Sequence, residues 1–143
     1  MDKIYPKLKE EYQFWMRQIG EDHFAGAKTI GFNDVLRAHY LLVDYFIREG
    51  EAIAASGPKS THLLMSAIGR QTAGYGGTLK WSDDLEVCAT LFFGLVKNHP
   101  FVDGNKRTGF LIAIYQLLKM GRTPDAPQKE FEKLAPESVR IQS

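Results

Sequence analysis

Apolar residues recur at helical spacing in five stretches of the chain, separated by polar or glycine-rich breaks. Tyr5, Leu8, Tyr12, Trp15, Met16 and Ile19 share one face of a predicted first helix, with Gly20 as its stop. Residues 23–32 follow no period. Asn33 is the expected N-cap of a second helix, and Asp34 complements its dipole. Val35, Leu36, His39, Leu42, Val43, Phe46 and Ile47 form its apolar face, and Gly50 ends it. A loop at Ser56-Gly57-Pro58 leads to Ser60 or Thr61, either of which can cap a short helix carrying Leu63, Leu64, Ala67 and Ile68. Ser82-Asp83-Asp84 predicts another start, with Leu85, Cys88, Ala89, Phe92, Leu95 and Val96 on the buried side and Pro100 beyond the end. Phe110, Leu111, Ile114, Leu117 and Leu118 mark a further helix, closed by Gly121. These last two stretches are the most apolar and are expected at the centre of the fold.

One segment breaks the period. Gly74, Gly76 and Gly77 surround Tyr75, while Thr72, Thr78 and Trp81 favour extended backbone, so residues 69–81 read as a short irregular hairpin or flap. With no other strand candidate, the expected fold class is mainly α. The expected organisation is a single domain over 1–143 with its core at about 33–121, a first helix in 1–20 and a tail in 122–143. The tail holds Pro124, Pro127 and Pro136 and a short amphipathic piece around Phe131 and Leu134. Its pattern is compatible with docking on the core, with binding a partner or with fraying.

Composition narrows the functional classes. The 143 residues are 44% hydrophobic and 24% charged, with a net charge of +1, ordinary values for a globular protein. No basic stripe or zinc-finger spacing points to nucleic acid. No run approaches the length of a membrane span, and the N-terminal segment lacks the apolar core of a signal peptide. The single cysteine, Cys88, allows no intrachain disulfide and reads as a buried thiol, so the expected location is the cytoplasm.

The chemistry is concentrated between the two most apolar helices. Within nine positions, His99 to Arg107, the chain carries an imidazole, a carboxylate, a carboxamide, an ammonium and a guanidinium. Such groups are costly to desolvate unless they bind something. Gly104 is expected at the start of the second of these helices, where free amides form a cradle for anions and a missing side chain lets a phosphate approach. Asn105 can add a donor, and Lys106 and Arg107 can neutralise phosphate oxygens. Asp103 is a hard oxygen ligand suited to Mg²⁺ between phosphates. His99 is a base suited to a hydroxyl nucleophile. The plainer alternative is that Asp103 caps the helix and His99 bonds a turn carbonyl. The order of residues is not that of a Walker A loop.

Residues 99–107, His-Pro-Phe-Val-Asp-Gly-Asn-Lys-Arg, resemble the signature of the Fic/Doc superfamily, and within it the death-on-curing branch. A looser resemblance runs from about Asn33 to Gly121 and leaves out the first 30 residues and the tail. It implies a Fic/Doc-like helical bundle with a short β-hairpin flap next to the active-site loop. It further implies that His99 deprotonates a target hydroxyl and that Asp103 holds Mg²⁺. Gly104, Asn105, Lys106 and Arg107 would hold the phosphates of ATP. Gln71, Thr72, Ala73, Gly74 and Tyr75 would form the flap that presents a target segment by strand addition.

Two departures refine the expectation. Fic adenylyltransferases typically carry Gly where this chain has Lys106, and a second Arg, which helps hold the distal phosphates of ATP, where it has Phe110. Both features resemble Doc toxins, which transfer the γ-phosphate to a translation elongation factor. The expected activity is therefore γ-phosphate transfer to a Ser or Thr hydroxyl. AMP transfer by the same site is the nearest alternative, and an inactive binding module is the alternative from another class. The family's autoinhibitory pattern, Ser/Thr-x-x-x-Glu-Gly/Asn, ends here in Glu49-Gly50 but has Tyr45 at its first position. Glu49 thus reads as a solvated helix-end residue, and a separate antitoxin is the expected partner, with no direct contact to nucleic acid or membrane. His39, alone on an apolar face, reads as a satisfied core histidine that could border the site. Trp15, Trp81, Phe92 and Phe93 read as core, and His23 and His62 carry no assignment. Tyr75 reads equally as a ligand contact or a solvated turn aromatic.

Overall fold

The computed structural model describes residues 3–51, 55–72, 74–75, 78–79 and 83–122. Five helices account for most of them: α1 (Pro6–Ile19), α2 (Phe32–Arg48), α3 (Thr61–Gly69), α4 (Asp84–Asn98) and α5 (Asn105–Lys119). The fold is mainly α, as the periodicity implies. Short strands β1 (Gly74–Tyr75) and β2 (Thr78–Leu79) pair antiparallel, Gly74 opposite Leu79 and Tyr75 opposite Thr78. Trp81, Ser82, Ala73 and the tail with Phe131 and Leu134 lie outside the described residues.

Local chemistry sets each helix end. Pro6 opens α1, where its missing N–H costs nothing, and Gly20 at φ 73° turns the chain away. Tyr5, expected on the buried face, is 41% exposed, because it precedes the helix and its N–H donates to the Asp44 carboxylate instead. Helix α2 starts one residue before the expected Asn33 cap, because the capping oxygen comes from elsewhere. The Asp22 carboxylate accepts the N–H groups of Phe32 and Asn33, and Asp34 accepts that of Gly31. A Cβ on Gly31 would lie 2.2 Å from Asp22 Oδ2, so this approach requires glycine. Asn33 is left to accept the Tyr12 hydroxyl. Of the two expected candidates, Ser60 rather than Thr61 caps α3, accepting from Leu63 N–H. Asp83 caps α4 by accepting from Leu85 N–H. Gly121, at φ 76°, closes α5, and Arg122 N–H returns to Leu117 O.

Helix α5 packs between α4 and α2, α3 packs on α4, and α1 on α2. The main cluster gathers Val35, Leu36 and Tyr40 of α2 with Leu64 and Ile68 of α3, Leu91 and Leu95 of α4, Phe101 and Ile112. A second cluster joins α4 and α5 through Cys88, Phe92, Val96, Ala113 and Leu117. The Cys88 thiol is buried there, 3.4 Å from Met120 Sδ. Phe92 is buried with it, while Trp15 and Phe93 are half-buried at the cluster edges. No helix among the described residues is long and apolar enough to cross a membrane. The short loop from Pro100 to Gly104 emerges where α4 and α5 meet.

Candidate active site

His99 immediately follows α4, at φ 48° and ψ 57°. It is the single non-glycine residue with positive φ among the described residues. Pro100 disfavours the right-handed conformation there. A left-handed L-residue costs about 1–2 kcal/mol, which its surroundings must offset. The exposed imidazole borders a cavity of about 500 Å³ together with Val102, Asp103, Gly104, Asn105, Lys106 and Arg107. All six residues assigned from the motif thus meet at one cavity.

The loop is braced from both sides. Pro58 and Phe101 form an isolated antiparallel bridge, with Lys59 N–H donating to Pro100 O at 2.7 Å and Val102 N–H to Gly57 O at 3.1 Å. The Asn105 carboxamide accepts Phe101 N–H at 2.9 Å and donates to Phe101 O at 3.0 Å, closing the turn like a rung of sheet. Asn105 was expected to serve a phosphate; its oxygen is committed to the loop, and one amide hydrogen remains for a ligand. Asp103 Oδ1 accepts Gly104 N–H at 2.7 Å, which orients the carboxylate at the mouth of the cradle.

Gly104 is the N-cap of α5 at φ 79° and ψ 20°, a conformation that glycine adopts without strain, and no side chain caps the helix. The amides of Asn105, Lys106 and Arg107 therefore have no intrahelical acceptor and form the positive end of the dipole. Lys106 is half-buried beside them. The Arg107 guanidinium lies 4.0 Å over the Phe46 ring and 3.8 Å from Glu51 Oε2. Phe46 and Glu51 orient this cation, although no sequence pattern marked them for that role. Glu49 caps the end of α2 and is exposed, as read from the sequence.

Two residues sit differently from expectation or carry more. Gln71 belongs to a 3₁₀ turn, Arg70–Thr72, and its side chain is buried. Its carboxamide accepts from Ile30 N–H and Gln116 Nε2 and donates to Ile30 O and Ile68 O, all at 2.8–2.9 Å. It is a core connector, so its side chain is corrected from the flap assignment. Thr72 is exposed next to it, and Gly74 and Tyr75 lie in β1. His39 is the core histidine that was expected, 1% exposed. Burial pushes its pKa from 6.5 down to about 3, with Asp103 opposing the shift.

An anion-binding helix start, two cations and a carboxylate beside an exposed imidazole fit a magnesium-bound nucleotide. Among the described residues no group of three or more His, Cys, Asp or Glu could cage a metal. One carboxylate completed by phosphate oxygens and water is a normal environment for Mg²⁺. No curated protein and no solved structure matches the chain. The model of the Fic/DOC family matches residues 12–117, beginning within α1 and so well ahead of Asn33. With the helical fold and more than half of the sequence in accord, the chain belongs to the Fic/DOC family, whose members are generally nucleotide-transferring enzymes that use ATP with Mg²⁺.

Proposed function

We propose that this chain is a Doc-like cytoplasmic toxin that moves the γ-phosphate of ATP onto a Ser or Thr hydroxyl of a target protein, with a translation elongation factor as the favoured target and a separate antitoxin as its control. Position 110 carries the choice of phosphate. Phe110 packs against Phe92 with ring centroids 4.9 Å apart, at the edge of the α4–α5 cluster. No second guanidinium is therefore offered to distal phosphates from that position. The α5 amides, Lys106 and Arg107 line the cavity beside His99, and the terminal phosphate, the most highly charged, is the one they favour there.

On this reading a ring nitrogen of His99 accepts the proton of the target hydroxyl as its oxygen bonds to the γ-phosphorus. The bond from that phosphorus to the β,γ-bridging oxygen breaks, and ADP leaves. Asp103 would hold Mg²⁺ through a carboxylate oxygen, and the ion would supply positive charge that offsets the charge of the phosphates. Tyr45 in place of a Ser or Thr, and Glu49 exposed at the end of α2, support control by a separate protein. Incubation with γ-labelled or α-labelled ATP and cell lysate tests the proposal. Protein labelling from the γ position alone is expected; labelling from the α position identifies AMP transfer, and labelling from neither favours an inactive binding module.

A further inference from the structure

Beneath the phosphate-binding turn lies a buried side chain with a fixed hydrogen-bonding role. Gly57 N–H donates to His39 Nε2 at 2.9 Å, so Nε2 carries no proton. The neutral ring then holds its proton on Nδ1, which lies 3.2 Å from Thr108 Oγ1 and donates to it. The ring also stacks on Phe101, with centroids 4.0 Å apart and planes 11° from parallel. Its Cε1 lies 3.9 Å from where a Cβ on Gly104 would stand. One imidazole thus touches the strand-like segment at Gly57, the centre of the site loop and the first turns of α5. Gly57 passes the constraint on, because its carbonyl accepts Val102 N–H.

We propose that His39, held as the Nδ1–H tautomer, is a positioning residue that sets the loop from His99 to Gly104 against the start of α5. It touches no substrate on this account and acts through Gly57, Phe101 and Thr108. The inference rests on the proposed nucleotide transfer for its functional meaning, but its structural content is independent of that transfer. A protonated Nε2 would confront the Gly57 N–H with a second donor, so the arrangement requires a neutral ring as well as a specific tautomer. Thr108 is the cleaner residue to change, because valine keeps its shape and exchanges the hydroxyl for a methyl group.

The test uses the full chain and two readouts. In the wild-type protein, ¹⁵N-resolved histidine spectra at neutral pH are expected to show one imidazole protonated at Nδ1 and bare at Nε2. That signal should be perturbed in Thr108→Val and restored in Thr108→Ser. The amide resonances of Gly57, Val102, Gly104 and Asn105 should move and return in the same variants. Transfer assays should show kcat lowered about 10–100-fold in Thr108→Val, the scale of a misplacement near 1 Å, and recovered in Thr108→Ser. An Nε2–H tautomer, or unmoved loop amides in Thr108→Val, overturns the proposal. So does a valine variant that loses stability while kcat per folded molecule is unchanged. If the wild type transfers nothing yet the tautomer and amide shifts appear, the enzymatic reading fails and the positioning role of His39 stands.

Discussion

Two imidazoles near the site differ in their surroundings, and so in what they can do. His99 is exposed at the cavity, whereas His39 is sealed beneath the loop. Replacing His99 by Ala is expected to lower transfer by about 10²–10⁴-fold while leaving ATP affinity largely intact. Single-turnover assays paired with a nucleotide-binding titration check this, and an unchanged rate removes His99 from the mechanism. His39 predicts a pH effect on stability. Its pKa is about 3 in the fold, against an ordinary 6.5. Between those values the unfolded chain binds more protons, so this stabilisation is complete above about 6.5 and is lost as pH falls toward 3. From pH 7 to pH 5 the loss should be about 2 kcal/mol. Urea midpoints at the two pH values measure it, and a His39→Gln variant should show a shallower dependence. An equal slope in that variant would exclude His39 as the source.

At the scale of elements, helix ends rather than helix middles decide the geometry. Helix α5 begins without a side-chain cap, which leaves its first amides for a ligand. Helix α2 is the opposite case, with its amides met by Asp22 from a preceding loop. Asp22→Ala should cost about 1–2 kcal/mol, the scale of a lost N-cap. Gly31→Ala should cost a similar amount, because its Cβ would displace the same carboxylate. The two losses should not add, since either change already removes the cap. Chemical denaturation of both single variants and the double variant measures the coupling, and strict additivity would contradict this account. The apolar period showed where the helices lie, but it missed the Asp22 cap because that oxygen comes from ten residues upstream. The α3 cap fell on one of the two adjacent candidates, Ser60 rather than Thr61, because that bond is local.

Across the whole molecule, Gln71 ties together segments distant in sequence. Its side chain joins the backbone of Ile30, the end of α3 and Gln116 of α5. Gln71→Leu should orphan several buried polar groups at about 1–3 kcal/mol each and lower the thermal midpoint by several degrees or more. If Gln71 instead served the target, the midpoint would hold and the KM for the target protein would rise. Thermal unfolding beside target-titration kinetics separates the two outcomes.

The sequence alone determined the helical class, the positions of the helices and the grouping of His99, Asp103 and Gly104–Arg107, because apolar periodicity and a contiguous nine-residue motif are properties of the chain itself. Only the tertiary structure decided that Asn105 spends its oxygen on Phe101, that Gln71 is a core connector, and that His39 sits under Gly104. Each of those facts depends on which donors and acceptors remain unpaired when the helices pack. That is settled by contacts across dozens of residues, where no local pattern reaches.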